Sequence, residues 1–271
     1  MDRKGRIGVG ILVAYILIAI VGPSFTQDPL QQNLLNRLAF PSPEHWLGTD
    51  ALGRDVLARM VSATQLDLRF GILAMLVPLF IGTTLGTLAG TLGGAVDAVI
   101  MRIADLVQSF PVILLFLGVA AASTRTESYF LLGPGELPIL IVFALVGWVV
   151  YARLVRGEIL RVKGMDYIAA AYAGGLSRPR VMLRHLLPNA ISQTVVYAVV
   201  DVGLAVLSMA SISYLGLGVP APIPEWGSMI NEGQVYLAVQ WWLVVAPGLA
   251  IAGLGIGLAL IGDSLDDGSS S

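Results

Sequence analysis

Long apolar blocks, repeated along the whole chain, constrain the fold of this protein more than any other feature of its sequence. A helix needs about 20 residues to cross a hydrocarbon core of roughly 30 Å. Only 13% of the residues are charged, whereas a soluble domain carries about a quarter. The sequence therefore predicts an all-α integral membrane protein with about six transmembrane helices. The blocks lie approximately at residues 7–21, 70–94, 98–122, 137–152, 190–212 and 237–262. Pro111 in the middle of the third block predicts that this block is kinked or begins as an interfacial segment.

The segments around these blocks divide the chain into four regions. An N-terminal end with the first transmembrane helix covers 1–23, where the bulky Val21 and Pro23 argue against signal-peptide cleavage. Three prolines interrupt any long helix in 24–69, so this stretch is predicted to be an extramembrane loop. A core domain of five transmembrane helices follows over 70–262. A short tail, 263–271, ends the chain.

Lysine and arginine residues are distributed unevenly between the two sides of the membrane. Eleven of the 16 lie on the side of the termini, and seven of those fall in the loop 153–189 between the fourth and fifth helices. Five lie on the opposite side, Arg125 among them. Because cytoplasmic loops are enriched in Lys and Arg, both termini are predicted to be cytoplasmic and the loop 24–69 extracytoplasmic.

The basic loop has signs of ordered local structure. Asp166 is predicted as the N-cap of a short helix over 167–173, since its three consecutive alanines favour helix, and Gly175 with its neighbouring glycine ends it. Ser177 is predicted to cap a second short helix that runs toward the next span. On these residues alone, a loop that only holds membrane topology remains an equal alternative.

Four groups of residues resemble motifs of one family. The basic loop resembles the EAA loop of bacterial ABC importer permeases, in the wording of the dipeptide, oligopeptide and nickel branch. The segment 45–59, with its Gly-Thr-Asp and Gly-Arg-Asp runs, is similar to a signature of the same branch. The third group is Arg102, Asp105 and 109–111 in the third block, and the fourth is 213–218 with 224–227, after the fifth block.

The resemblance implies a type I ABC importer permease of the second subunit type found in dipeptide importers. The short helix of the basic loop would lie in a groove on an ATPase subunit and move when the ATPases close. Ala169 replaces the family's usual glutamate, which removes one polar contact and leaves docking dependent on shape. The implied coupling residues are Asp166, Tyr167, Ala169, Ala170, Ala171, Gly175, Ser177, Arg184 and His185.

Partners and cofactors follow from the same resemblance. It implies a homologous permease subunit in a heterodimer, two ATP-binding cassette subunits, an extracytoplasmic substrate-binding protein and the lipid of a bacterial plasma membrane, but no nucleic acid. ATP and Mg are expected in the partner subunits, because this chain has no Gly-x-x-x-x-Gly-Lys-Ser/Thr run. With no cysteine and two distant histidines, neither a metal site nor catalysis is expected. The implied cargo is di- or oligopeptides, with nickel, glutathione or haem as alternatives, and export is left open.

Asp201 is the one carboxylate near the centre of the fifth block. Facing lipid it would cost roughly 2.5 to 3.5 kcal/mol, so it is predicted to face a translocation path or to make a structural hydrogen bond. A different class of protein, an ion-coupled secondary transporter, would use Asp201 as its coupling site. That class predicts internal repeats with paired broken helices, which the sequence does not show.

Two further features are predicted to be structural. Arg102 and Asp105 are three residues apart and are expected to form an ion pair on one helix face. Glycines at 82, 86, 90 and 94 recur every four residues and are expected to form a helix-packing face.

Tryptophans mark the last third of the chain. Trp226 and Glu225 either contact the substrate-binding protein or fold their loop against the helices; the sequence favours neither. Trp241 and Trp242 begin the sixth block and are predicted to be interfacial anchors.

Overall fold

The computed structural model describes residues 2–122, 128 and 132–269. Five helices in these residues are long and apolar enough to cross a membrane, and there are six candidate spans if one bent pair is counted. The all-α fold class is confirmed. The α-helices of the described chain are α1 (Arg3–Val21), α2 (Val56–Leu92), α3 (Gly94–Gln108), α4 (Val112–Ala122), α5 (Glu136–Lys163), α6 (Asp166–Ala173), α7 (Arg178–Val181), α8 (Leu187–Tyr214), α9 (Trp226–Gly233) and α10 (Trp242–Ser269).

The bent pair is α3 with α4, whose axes differ by 74°. The break falls at 109–111, where Pro111 has no backbone N–H to continue the helix and its ring clashes with the preceding turn. The kink predicted for the third block is confirmed.

Three predicted boundaries are wrong. The loop predicted for 24–69 is helical from Val56, because Asp55 caps α2 by accepting from the Ala58 N–H at 2.7 Å. The basic loop predicted from 153 begins later, since α5 continues to Lys163. The predicted tail is helical through Ser269. In each case a polar stretch extends a helix beyond its apolar block, and hydropathy cannot detect this.

Three of the four predicted glycines form a face of α2 that packs against α5, whereas the prediction is wrong for Gly94, which begins α3 and has nothing within 4 Å of its Cβ position. A Cβ built on Gly82 would lie 2.4 Å from the Trp148 carbonyl oxygen, and one on Gly86 would lie 2.4 Å from that of Ala152. Gly90 meets the Ile159 side chain in the same way. The two backbones therefore approach more closely than any larger residue would allow.

The other spans complete the bundle around α2. A Cβ on Gly71 of α2 would lie 2.7 Å from Val206 on α8. An apolar core of α2, α8, α9 and α10 includes Leu68, Trp226 and Leu254. The first helix packs on α10, where the Tyr15 hydroxyl donates to the Ala250 carbonyl at 2.7 Å.

Candidate functional site

The residues between α5 and α8, 164–186, form a compact unit that we call the connecting segment. It contains α6, α7 and a π-helical turn, Met182–Leu186, that leads directly into α8. Asp166 is the first residue of α6 rather than its N-cap, which is Met165 and makes no side-chain bond. Ser177 occupies the N-cap position of α7, also without a side-chain hydrogen bond. A carboxylate in the first turn of α6 still favours the helix through the macrodipole.

A Schellman turn ends α6. Gly175 has φ +85°, its N–H donates to the Tyr172 carbonyl at 3.0 Å, and the Leu176 N–H donates to the Ala171 carbonyl at 3.2 Å. Glycine adopts this left-handed conformation without the steric cost of a Cβ. The stop predicted at the two glycines is confirmed, and it reverses the chain between α6 and α7.

One face of the connecting segment is buried and the other is exposed. Ile168, Val181 and Leu186 pack with apolar residues of α5 and with Ala190 of α8. Ala169 and Ala170 lie on the exposed side. Because their side chains end at Cβ, the backbone of α6 is accessible at these two positions, next to the exposed rings of Tyr167 and Tyr172.

The structure brings together only some of the predicted coupling residues. The Tyr167 and His185 rings meet edge to face with centroids 6.3 Å apart, linking α6 to the π turn. Ala171 is half-buried in the apolar interface, and Arg184 is exposed.

Ion pairs and hydrogen bonds connect α5 to α3. Arg156 binds both carboxylate oxygens of Asp97, with Nη2 to Oδ2 at 2.6 Å. Asp105 accepts from Arg153 at 2.8 Å, so the predicted partner Arg102 is wrong. The guanidinium group of Arg153, on the neighbouring helix, presents a planar set of donors that suits the Asp105 carboxylate.

Asp201 is half-buried on the flank of α8. Its Oδ2 accepts from the Tyr151 hydroxyl of α5 at 2.6 Å, and the Tyr197 ring lies edge-on to Tyr151 with centroids 5.2 Å apart. The sequence analysis missed Tyr151, although a tyrosine inside an apolar span signals a buried hydroxyl that needs a partner. Asp201 therefore makes the structural hydrogen bond that was one of its two predicted roles.

The segment before α2 folds around the carboxylate of Asp50. This group accepts from the Arg54 Nε at 2.6 Å and the Arg59 Nη1 at 2.5 Å. Both guanidinium groups also reach Glu232 on α9, at 2.7 and 3.0 Å. Asp50, Arg54, Arg59 and Glu232 form what we call the arginine cluster. Burial raises the pKa of Glu232, and Arg54 opposes this.

Glycines allow the loop of the arginine cluster to close. Gly53 has φ +71°, and a Cβ there would lie 1.8 Å from the Asn33 carbonyl oxygen. The sequence analysis recognised the Gly-Thr-Asp and Gly-Arg-Asp runs as motifs without assigning their contacts. The sequence signal that could have revealed these contacts was Arg59, a charged residue close to the start of a membrane-spanning helix.

Glu225 and Trp226 are both fully buried. The Glu225 carboxylate caps α9 by accepting from the N–H groups of Gly227 and Ser228, each at 2.8 Å. Burial raises the pKa of Glu225, and these two hydrogen bonds oppose the shift. The Trp226 N–H donates to Asp67 on α2 at 3.2 Å. A direct contact with a binding protein is therefore wrong for these side chains, and the alternative, a loop folded against the helices, is correct.

The two tryptophans at the start of α10 differ. Trp241 is 57% exposed, as an interfacial anchor would be, whereas Trp242 is 7% exposed and packs against Phe40 with centroids 5.1 Å apart. Within the described residues, no group of three His, Asp or Glu side chains could hold a metal ion.

Apolar spans with an ordered basic segment between two of them define a membrane-embedded transport component. Residues 82–270 match the family described as the inner membrane component of binding-protein-dependent transport systems. The chain belongs to this family and is a non-catalytic permease subunit of an ABC transporter. The family resemblance found in the sequence is thus confirmed, as is location in the inner membrane.

Relatives match over nearly the full chain. The dipeptide transport system permease protein DppC of Alkalihalophilus pseudofirmus is 38% identical over 98% of this chain and 85% of its own. The oligopeptide transport system permease protein OppC of Bacillus subtilis is 35% identical over the same shares. The glutathione transport system permease protein GsiD of Pectobacterium atrosepticum is 39% identical over 84% of this chain and 72% of its own.

Proposed function

We propose that this chain imports di- or oligopeptides as one half of a heterodimeric permease. A homologous permease subunit supplies the other half of the translocation path. Two ATP-binding cassette subunits bind ATP and Mg, and an extracytoplasmic binding protein delivers the peptide. Both termini and the connecting segment lie in the cytoplasm, in agreement with the excess of Lys and Arg on that side.

The observation that carries this proposal is the two-sided connecting segment. Its buried face fixes α6 on α5 through Ile168, and its exposed face presents Ala169 and Ala170, whose side chains end at Cβ. A groove on an ATPase subunit can therefore approach the α6 backbone closely. Gly175 sets the angle at which α6 is presented.

The route from this contact to the path runs along the chain itself. The π turn joins α7 to α8 without a break, and Asp201 lies on α8. A movement of the connecting segment is therefore transmitted to the helix that carries this carboxylate. In the path, the ammonium group of a peptide N-terminus would compete with the Tyr151 hydroxyl for Asp201, because the ammonium carries a charge opposite to that of the carboxylate whereas the phenol is neutral.

Peptides are the proposed cargo because three relatives are named for molecules with peptide bonds: dipeptides, oligopeptides and glutathione. Asp201 supports the same choice, since every such molecule with a free amino group carries a cation. The names of these three relatives include neither nickel nor haem.

The test uses the permease complex purified from membranes that also express the neighbouring subunits. Gly175→Val and Ala170→Trp are compared with Gly10→Leu, which adds bulk at a position with nothing within 4 Å of its Cβ. We expect both connecting-segment variants to lose peptide-stimulated ATP hydrolysis or to release the ATPase subunits, and Gly10→Leu to keep both. Peptide transport without ATP by the chain alone would contradict the proposal.

A further inference from the structure

A cleft of about 510 Å³ lies between the end of α2 and the connecting segment. One side is formed by Leu88 and Leu92 of α2, and the opposite side by Arg178 and Met182. Lys163, the last residue of α5, also lines it. The cleft is thus bounded by a membrane-spanning helix on one side and by the segment proposed to meet the ATPases on the other.

The lining is divided into a cationic part and an apolar part. Lys163 and Arg178 supply two positive charges, and Tyr172 adds a phenol that is 39% exposed. Leu88 and Leu92 are exposed apolar side chains that face the same space. An occupant that suits both parts carries a negative headgroup and a hydrocarbon chain.

The two cations differ from the three arginines of α5. Arg153, Arg156 and Arg161 each pair with a carboxylate. In the part of the chain that the structure describes, neither Lys163 nor Arg178 pairs with one. Lys163 instead donates to the carbonyls of Gly90 and Thr91 at 3.2 and 2.9 Å, which holds its charge at the end of α2. These charges are therefore not neutralised by any carboxylate among the described residues.

A hydrocarbon chain has a path out of the cleft along α2. Leu76, Phe80, Leu88 and Leu92 are exposed and recur at multiples of four residues, so they form a stripe that winds along the surface of this helix. The stripe leads from the cleft toward the centre of the span. Basic pockets between helices on the cytoplasmic side of a membrane bind anionic lipid headgroups.

We infer that this cleft binds the headgroup of an anionic phospholipid, with its phosphate between Lys163 and Arg178 and an acyl chain along the exposed stripe of α2. The lipid then bridges a transmembrane helix and the connecting segment. The inference does not depend on the cargo, and it needs no ATP to be tested.

The experiment is native mass spectrometry of the full chain, purified in mild detergent and titrated with cardiolipin, phosphatidylglycerol or phosphatidylethanolamine. The variants are Arg178→Gln and Arg178→Lys. Arg180→Gln is the matched control, because Arg180 is an exposed arginine of the same short helix that does not line the cleft. We expect the two anionic lipids to bind the wild type more tightly than phosphatidylethanolamine. Arg178→Gln should bind them about fivefold more weakly, and Arg178→Lys and Arg180→Gln should bind them nearly as the wild type does.

Two outcomes would overturn the inference. One is equal retention of cardiolipin by Arg178→Gln and Arg180→Gln, which would mean a diffuse basic surface. The other is displacement of cardiolipin by millimolar inorganic phosphate, which would mean a site for a free anion. Transport activity enters neither measurement, so a failure here is distinct from a failure of the proposed peptide import.

Discussion

The arginine cluster and the connecting segment both carry motifs of the family, yet they use their residues in opposite ways. Around Asp50, the motif side chains are turned inward, and Arg54 and Arg59 are 3% and 1% exposed. In the connecting segment, Ala169, Ala170 and Gly175 are exposed. The side chains of the first motif make their contacts within the chain, whereas the residues of the second motif leave a surface exposed.

This difference separates two reasons for a recognisable motif. A buried cluster of charges demands that every partner be present, because a carboxylate or guanidinium left alone in the interior is costly. An exposed run of small residues needs no partner within the fold, and its composition reflects what docks on it. Changes in the arginine cluster should therefore affect stability, and changes in the connecting segment should affect coupling.

The largest effect is expected for Arg59→Ala. It leaves Asp50 and Glu232 facing each other with one guanidinium fewer, and breaking a buried pair costs about 3–5 kcal/mol. Thermal unfolding of the purified complex measures the loss. Arg37→Ala, an exposed arginine in the same loop, should change the free energy of unfolding by less than about 0.5 kcal/mol. Equal melting of the two variants would remove the distinction between buried and exposed motif residues.

Glu225→Ala should have the next largest effect. It removes the side chain that caps α9, and loss of an N-cap costs about 0.5–2 kcal/mol. Hydrogen exchange of the α9 amides should rise while that of α5 stays unchanged. Uniform exchange across both helices would show that Glu225 acts on the whole fold instead of on α9.

The same carboxyl predicts a pH dependence. Since the folded pKa of Glu225 is raised, its contribution to stability is complete below the unfolded value and falls as pH rises through the folded one. The wild type should lose stability relative to Glu225→Gln between acidic and neutral pH. Melting curves of both proteins over this range give the difference, and parallel curves would exclude Glu225 as the titrating group.

Ser177→Ala tests the other side of the comparison. Serine at an N-cap usually stabilises its helix, but Ser177 makes no side-chain bond to α7. The substitution should therefore change the free energy of unfolding by less than about 0.5 kcal/mol. A loss near 1 kcal/mol would mean that the hydroxyl caps α7 in solution.

The smallest effect on stability is expected for Ala169→Glu, which restores the family's usual residue on an exposed face. Melting should shift by less than about 0.5 kcal/mol in the free energy of unfolding. Under the proposed docking, the variant should retain the ATPase subunits at least as well as the wild type during purification. Their dissociation would place Ala169 in a contact too tight for a longer side chain.

Sequence alone predicted those features that depend on local pattern. The spans followed from hydropathy, the break at Pro111 from the missing donor, and the turn at Gly175 from the two glycines. Each of these is decided by a few neighbouring residues.

Features that depend on distant partners were not predictable. Asp105 pairs with Arg153, and Glu225 lies buried beside α2, because helices far apart in sequence meet in the bundle. Likewise, the start of α2 at Val56 depends on a cap and on burial rather than on hydropathy. Hydropathy also could not show that Tyr151 holds Asp201.

The π turn at Met182–Leu186 joins α7 and α8 into one continuous lever. Residues 178–214 run as one rod, which crosses α2 where Val202 and Val206 pack on Gly71. At 1.5 Å per residue, the arm from the midpoint of this crossing to Pro179 is about 38 Å and the arm to Tyr214 about 15 Å. A sideways push on the long arm of a rigid rod would therefore swing the far end in the opposite direction by less than half as much. Asp201 lies beside the crossing with α2, so it would rotate with little displacement.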